Sequence, residues 1–406
     1  MNGIDVAIIG AGAAGIAAGR RLTELGKSVL LIEALARIGG RTQTMTLQNV
    51  PLDMGAHWLH SGERNPLTVL AESISEPIER RRAAWDKQWR DIGATPQTQR
   101  NAWRAYETLI ERLHSNPPDN DCAGDAMATD DRWRPFADGL STYVNGVELD
   151  QLSVADFLKY NDAASDNDWR LPNGFGAFVA KLGAGLPTTL ATRVISITHD
   201  NGIILETDRG TIRARAAIVT ISSAVLASGA IRFAPALDDH LHAASNLPLG
   251  LADKVFLSLA APEMAEPETH LLGSFERAGA GSYYIRPLGH PIIECFLGGA
   301  AARALESAGK EAATDFCTAQ LSGLLGSKFA RTLSPLAVTT WAREPTILGS
   351  YSHALPGFSA ARATLAQPVN EHLCFAGEAC STQDYSTVHG AWKSGIAAAD
   401  WIALAV

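Results

Sequence analysis

Nowhere in this chain do apolar residues run on for the ~18 positions that a membrane-spanning helix needs, so no membrane-embedded segment is expected. Cysteine is scarce: the five, at positions 122, 295, 317, 374 and 380, include no CxxC pair and leave an odd one over. That argues against a disulfide framework and against a zinc site, and a reducing cytoplasm is the expected location. The sequence also lacks a GxSxG elbow, a cluster of metal-ligand residues, an internal repeat and any low-complexity segment. Basic residues are outnumbered, 34 Lys and Arg against 43 Asp and Glu, which makes nucleic acid a poor partner. What remains is an ordinary globular composition, 406 residues that are 46% hydrophobic and 19% charged, long for one core and comfortable for two.

The residues present are organised around one stretch, Asp5 to Thr42. Asp5 to Ile9 is a short apolar run, followed at once by Gly10-Ala11-Gly12-Ala13-Ala14-Gly15 and a helical pattern through Leu25. This predicts strand, tight turn and helix in that order. Gly10 permits the turn; Gly12, with Ala14 in the first helical turn, lets the backbone approach a pyrophosphate; Gly15 allows close packing of helix on strand. Gly26 suits the position just past a helix end. A second apolar run, Ser28 to Ile32, delivers Glu33 about 20 residues beyond the glycines, where an acid accepts ribose hydroxyls and disfavours a 2′-phosphate. Both strands in register with Glu33 predict dinucleotide binding.

Arg37, Ile38, Gly39, Gly40, Arg41 and Thr42 follow directly. They resemble the GGR signature of the flavin-binding amine oxidase superfamily, in which the motif serves FAD rather than NAD. Gly55-Ala56-His57-Trp58, then His60 and Asn65-Pro66, are similar to the polyamine oxidase branch, as is Tyr385-Ser386-Thr387-Val388-His389-Gly390-Ala391. The resemblance is strong over residues 5–60 and 373–395, moderate over 169–260 and 341–357, and nearly silent over 76–165. It implies an α/β fold: a Rossmann-like FAD-binding domain of the glutathione-reductase type from residues 1–75, 169–242 and 365–406, interleaved with an α+β substrate domain from 76–168 and 243–364 that carries a helical insertion.

The same resemblance implies site residues. Gly55 and Ala56, beside His57 and Trp58, lie where a flat ring could rest on bare backbone; Val194 meets adenine; Trp341 packs against the flavin. Gly377-Glu378 and the helix start at Thr387-Val388 face the flavin pyrimidine, where negative charge gathers on reduction. Covalent monoamine oxidases bond the flavin through a cysteine near the position of Ser350, but no cysteine lies between Cys317 and Cys374, so noncovalent FAD is implied. Lys254, alone among apolar residues in the strand Leu249 to Leu259, is either an outward-facing charge or the counterpart of the family lysine that reaches flavin N5 through water. His57 is either a satisfied buried histidine or a site residue. His60 is expected to face substrate, with Tyr351 as one wall of an aromatic cage whose second tyrosine, in monoamine oxidases, falls near Thr387. Those membrane-bound relatives continue into a C-terminal anchoring helix; neither that anchor nor a signal peptide is expected here.

Between Glu72 and Asp168 the sequence changes character. Arg80-Arg81-Arg82 is expected to open a polar helical stretch in which Trp85, Trp89, Trp103 and Tyr106 serve as packing residues, broken at Asn116-Pro117-Pro118 and ending in an exposed loop, Asn161 to Asn167. From Ser115 to Asp168 twelve acids stand against three bases, either a solvated helical face or a field that steers cations toward the site. Farther on, Thr192 to Thr198 and Ile203 to Thr207 predict a hairpin around Asp200-Asn201-Gly202. Ala301 to Leu325 is expected to be helical.

The activity implied by the resemblance is FAD-dependent oxidation of a small-molecule amine: hydride transfer from the carbon beside a neutral nitrogen to flavin N5, hydrolysis of the imine, and reoxidation by O2 to give hydrogen peroxide. The cofactor carries the hard step, so no side-chain nucleophile or acid pair is needed, and the protein aligns the C–H bond and excludes water. A desaturase or a protoporphyrinogen oxidase sharing the N-terminal fingerprint is one alternative, against which Lys254 and Tyr385 to Ala391 count. A non-catalytic FAD-binding scaffold is the other, and on it the motifs are silent. The identity of the amine is not legible, because the pocket walls come from the poorly matched insertion.

Overall fold

The computed structural model describes residues 3–85 and 87–406. β1 (Ile4–Ile9) runs into the glycine turn, the helix Ala13–Glu24 brings the chain back, and β2 (Val29–Ile32) pairs parallel to β1. Gly26, at φ +75°, ends that helix in a conformation costly for any residue with a Cβ. β3 (Thr44–Leu47) and β4 (Val50–Asp53) form a separate hairpin that turns through Gln48 and Asn49, both at positive φ.

After an insertion built on the helices Pro96–Ser115, Arg134–Val144 and Val154–Ala163, the helix Phe175–Gly183 re-enters the first layer. β5 (Thr188–Thr189) extends the sheet beyond β2. β6 (Val194–Thr198), β7 (Ile203–Thr207) and β8 (Gly210–Val219) form an antiparallel meander, with the expected turn at Gly202, and β9 (Arg232–Ala234) flanks β6. β8 joins two kinds of sheet. Its first residues pair antiparallel with β7 and alternate toward solvent, whereas Ala214 to Val219 pair parallel with β1. There the alternation gives way to the fully buried Ala216-Ala217-Ile218-Val219, as a strand covered on both faces requires.

The second sheet comes from β10 (Ala252–Leu259), β11 (Thr269–Leu272), β12 (Ser282–Ile285), β13 (Ile292–Gly298) and β14 (Leu333–Val338), in the order β11-β12-β13-β10-β14. β15 (Leu373–Phe375) then returns to pair with β8, and the helix Val388–Ile402 packs across Ala13–Glu24. That crossing is close because Gly395 has no side chain: a Cβ there would stand 2.1 Å from the Ala14 carbonyl oxygen. Apolar clusters fill both faces of the parallel sheet and the space around β10 and β13. Among the described residues no helix is long and apolar enough to cross a membrane.

Two expectations fail locally, and a third, a helical Ala301 to Leu325, holds with a break. Among the described residues from Arg80 onward the first α-helix starts only at Pro96, capped by the Thr95 hydroxyl; ahead of it stand a 3-10 turn, Trp89–Asp91, and Glu79 bridged to Arg170. Proline fits the first turn of a helix and not its interior, so Pro96 marks the start. Ala301 to Leu325 is two helices, Gly299–Ala308 and Lys310–Leu325, broken at Gly309 with φ +108°. The loop expected from Asn161 starts only at Ala164, since Val154–Ala163, capped by Ser153, extends through Asp162, whose carboxylate bonds His114 at 2.8 Å.

Candidate active site

A continuous cavity of about 660 Å³ runs from the glycine turn after β1 to the face of the second sheet. Gly10, Gly12, Ala14 and Glu33 line one end; Lys254, His60 and Tyr351 line the other. Of the cofactor-binding candidates, Gly39, Gly40, Arg41, Gly55, Ala56, His57, Trp58, Val194, Trp341, Gly377, Glu378, Thr387 and Val388 also line it. Gly15 and Arg37 do not. A Cβ on Gly15 would fall 2.0 Å from the Gly10 carbonyl oxygen, so its place is in the helix-strand packing. Arg37 turns its guanidinium to the Ile38 carbonyl at 3.3 Å, in the field of Glu33 and Glu344.

The first end is made of backbone. Gly12 and Gly39 form a parallel bridge, Gly39 N–H donates to the Ala11 carbonyl at 2.8 Å, and a Cβ on Gly40 would lie 3.3 Å from Gly12 Cα. The helix Ala13–Glu24 begins with no side-chain cap and no acid in its first turn. Its leading N–H groups therefore have no side-chain acceptor of their own where they meet the cavity, which is the arrangement a pyrophosphate fits. Glu33 is buried, with one carboxylate oxygen accepting from Ala11 N–H at 2.7 Å and the other from Leu35 N–H at 2.8 Å. Burial pushes its carboxyl up, and those two N–H groups pull the other way. One lone pair per oxygen remains for hydroxyls.

Farther along, Arg41 donates to the Ser350 carbonyl at 2.7 Å and to Glu378 at 2.9 Å. Glu378 also accepts from the Ser352 hydroxyl at 2.6 Å and from the Ser386 N–H at 2.9 Å. Burial pushes its carboxyl up, but Arg41 and Arg362 outweigh that and hold it below its ordinary value. Glu378 thus ties three chain segments together with its side chain. Gly55 has a use beyond the one expected. A Cβ there would come 1.8 Å from the Arg41 carbonyl oxygen, so the missing side chain admits the neighbouring chain as well as bare backbone at the cavity. Trp341 is fixed by its indole N–H on the Met54 carbonyl at 3.1 Å.

The other end is made of side chains. Lys254 is only 2% exposed, so it is no edge charge. Its ammonium meets the Asp53 carbonyl at 2.8 Å, Glu294 at 2.8 Å and His57 Nδ1. The Asp53 carbonyl and His57 hydrogen-bond it, and Glu294 adds the opposite charge. Burial, then the charge of Lys254, pushes the His57 imidazole well below its ordinary value, so it is the neutral acceptor in this group. Glu294 had not been singled out from the sequence. It is the lone acid in the apolar run of β13, the same signal that marked Lys254 in β10, and the register sets it opposite Phe256 on the face of Lys254.

His60 meets Asp168 through Nδ1 at 2.7 Å, its ring stacked on Trp85 at 6.4 Å between centroids. Tyr351 donates its hydroxyl to the Tyr143 carbonyl at 2.7 Å, and burial pushes that phenol far up. The Thr387 hydroxyl is engaged with the backbone: it donates to the Asp384 carbonyl at 2.6 Å and accepts from Gly390 N–H at 2.9 Å, capping Val388–Ile402. Trp85, Trp103 and Tyr106, expected as packing residues, line the cavity with Tyr143, Tyr160, Tyr284 and Phe296. Aromatic spacing on a helix reports a nonpolar face but not what that face meets. Of the acids from Ser115 to Asp168, Asp156 forms a buried pair with Arg362, Asp138 and Asp150 hold Arg134, and Asp162 holds His114. Asp166 and Asp168 reach the cavity.

Comparison with known proteins agrees with this geometry. The family model described as flavin containing amine oxidoreductase matches residues 106–403, and that of an NAD(P)-binding Rossmann-like domain matches residues 8–72. Polyamine oxidase 2 of Arabidopsis thaliana is 27% identical over 435 aligned positions, covering 98% of this chain and 87% of that one. A putrescine oxidase solved with putrescine superposes with a TM-score of 0.81 at 20% identity, covering 98% of each chain. Cyclohexylamine oxidase from Brevibacterium oxydans does so at 0.81 and 21%, covering 99% of each. At such identity the structural likeness speaks for the fold, a Rossmann-like FAD-binding domain with a substrate domain, while the family match covers well over half the chain. The chain belongs to the flavin-containing amine oxidoreductases, enzymes that oxidise amines with FAD, and holds that FAD noncovalently.

Proposed function

We propose that this enzyme oxidises an amine carrying more than one nitrogen, by removing hydride from the carbon beside an uncharged nitrogen, with O2 as the final acceptor. The observation that carries the reading is the continuity of the cavity: one space joins the glycine turn and Glu33 to Lys254, His60 and Tyr351. Its far end is walled by aromatic rings and carries carboxylates, surroundings that suit alkyl chains ending in cations. The relatives named for polyamines and for putrescine support that class.

FAD, when bound, supplies the acceptor for the hydride and the route of its electrons to O2, with hydrogen peroxide as product. The chain's own residues would hold and orient. Glu33 takes the ribose, the first turn of Ala13–Glu24 the pyrophosphate, and Val194 the adenine. Trp341, Gly377 and the capped helix start at Thr387 and Val388 would border the flavin ring, as would Ala56, His57 and Trp58, all of which line the cavity. Lys254 aims a positive charge, partly balanced by Glu294, at the reacting region. Tyr351 and Trp58 exclude water around the C–H bond. We assign residues 1–75, 169–242 and 365–406 to the FAD-binding domain and 76–168 and 243–364 to the substrate domain; the strands of the larger sheet fall in the first set and β10 to β14 in the second. Five free thiols accord with a reducing cytoplasm.

The test is an anaerobic panel of mono-, di- and polyamines followed by flavin absorbance. Bleaching by diamines or polyamines at concentrations far below those needed for monoamines is the expected outcome. Equal response to a monoamine of matching length would remove the second nitrogen from the reading.

A further inference from the structure

An amine in neutral water is almost entirely ammonium, since its pKa lies near that of lysine at about 10, and an ammonium nitrogen has no lone pair with which to expel hydride from its neighbouring carbon. Whatever enters this cavity must lose a proton before it can react. Lys254 turns its Nζ to the Asp53 carbonyl, to His57 Nδ1 and to Glu294. His57 turns Nδ1 to that ammonium. Glu294 is engaged with both.

His60 is placed differently, and the backbone is what places it. Leu59 and Trp169 form an antiparallel bridge with N–H to carbonyl bonds of 2.7 and 3.2 Å, and Gly62 N–H donates to the Asn167 carbonyl at 2.7 Å. One step along an antiparallel pair, residue 60 stands across from residue 168. The pairing is pinned further, because a Cβ on Gly62 would come 2.4 Å from the Trp169 ring. The Asn65 amide also donates to the His60 carbonyl at 3.0 Å. Asp168 Oδ1 therefore meets His60 Nδ1 at 2.7 Å, with the Asp168 side chain 12% exposed and that of His60 36% exposed. A carboxylate on Nδ1 fixes the N–H on that nitrogen and leaves Nε2 as the lone-pair nitrogen. Both residues line the cavity, with the imidazole stacked on Trp85.

We propose that His60 and Asp168 form the proton-accepting dyad of this enzyme, a step that rests on the reading of the cavity as an amine site. The substrate N–H bond breaks and an Nε2–H bond forms, giving a neutral amine and an imidazolium beside the Asp168 carboxylate. No electrons leave the pair, and the proton passes to water at the partly exposed imidazole. His60 is the catalytic residue and Asp168 its positioning residue. The other titratable groups around the ring are His57 on its own segment, Tyr160 and Asp166 from the insertion, and His389 paired with Asp384 at the last helix.

The experiment is single-turnover flavin reduction of the holoenzyme without oxygen, with 1,4-diaminobutane and with the most reactive amine of the panel, from pH 6 to 10. In His60→Asn the amide nitrogen keeps a donor for Asp168 while Nε2 is gone. Its second-order reduction rate should fall roughly 100-fold at pH 7, the scale of one general base, and climb about tenfold per pH unit toward the pKa of the amine, because only free amine then reacts. The wild-type profile should be flatter. In His60→Ala, added imidazole should restore part of the rate; in Asp168→Asn the rate should fall with FAD content unchanged. Wild-type flavin that no amine reduces overturns the amine reading itself. Wild-type flavin reduced by amine, with a His60→Asn profile parallel to it and no imidazole rescue, overturns the dyad alone.

Discussion

Under the glycines the cavity is walled by main chain, whereas around Lys254 it is walled by side chains sent in from the hairpin region, the insertion and the second sheet. The two helices that start at the cavity repeat this contrast. Ala13–Glu24 begins uncapped, with its first amides left for a ligand, while Val388–Ile402 is closed by the Thr387 hydroxyl. A site made of backbone tolerates few sequences, because each close approach needs a residue without a side chain. A site made of side chains sets many requirements at once on residues far apart. Substitutions at the second end should therefore disturb stability and chemistry together, and those at the first chiefly cofactor affinity.

Lys254→Met is the strongest way to test that contrast. It leaves Glu294, 13% exposed at its side chain, without the cation 2.8 Å away, and breaking one side of a buried pair costs about 3–5 kcal/mol. Thermal unfolding should drop accordingly. Anaerobic reduction by amine should persist while reoxidation in air slows by ~10-fold or more, the scale of one aimed electrostatic contact. Adding Glu294→Gln should recover much of the stability but none of the reoxidation rate. Should the double variant regain neither stability nor rate, the two residues do not act as a pair.

At the other end Glu33→Ala should change affinity for FAD by about 1–3 kcal/mol, the range for a charge-assisted hydrogen bond. Titration of apoprotein with FAD reads this directly. The loss includes more than the ribose, because Ala11 N–H and Leu35 N–H lose their acceptor. A Kd equal to that of the parent would separate Glu33 from cofactor binding.

The same contrast explains what could be read from the chain beforehand. The glycine turn, Glu33 at the end of β2, the hairpin turn at Gly202 and the closing helix are legible because each is local, with every determinant within a few residues or one strand-turn-helix unit. Lys254 is legible as the odd residue of its strand, and Glu294 carries that signal too, but only the pairing of β10 with β13 brings them together. Asp168 reads as one acid among twelve until the bridge of Leu59 to Trp169 sets it against His60. Trp85 lies in a stretch read as helical that is irregular, and Trp103 and Tyr106, which pack against the apolar clusters of the insertion as expected, line the cavity with it. What local patterning misses is a contact between residues on separate elements, or the space that a nonpolar face meets.

Thr387→Ala asks whether the second helix start belongs to the scaffold or to the chemistry. Its hydroxyl caps Gly390 N–H at 2.9 Å and donates to Asp384, and losing such a cap costs about 1 kcal/mol. A small fall in melting temperature with unchanged single-turnover reduction is expected. Thr387→Ser should restore the stability. A large fall in reduction rate with stability intact would place Thr387 against substrate instead.

The smallest expected effect concerns the acidic insertion and ionic strength. Were the acids from Ser115 to Asp168 unpaired, they would raise the local concentration of a dication, and that advantage would fade as salt shortens the Debye length to about 3 Å at 1 M. Most are already committed. Arg362 holds Asp156, Arg134 holds Asp138 and Asp150, His114 holds Asp162, and Asp121 accepts from the Ser153 hydroxyl and from Gly357 N–H. Asp166, with its side chain 88% exposed at the cavity and 3.6 Å from Arg82, is the acid best placed to be felt by an arriving cation. The second-order rate of flavin reduction by 1,4-diaminobutane should therefore fall by only ~2–3-fold between 0.05 and 0.5 M NaCl, with a flat limiting rate. Asp166→Asn should remove most of that dependence. A fall of tenfold or more that survives Asp166→Asn would show the segment acting as a collective field, and the side-chain end of the cavity would then extend its influence well beyond the residues that touch it.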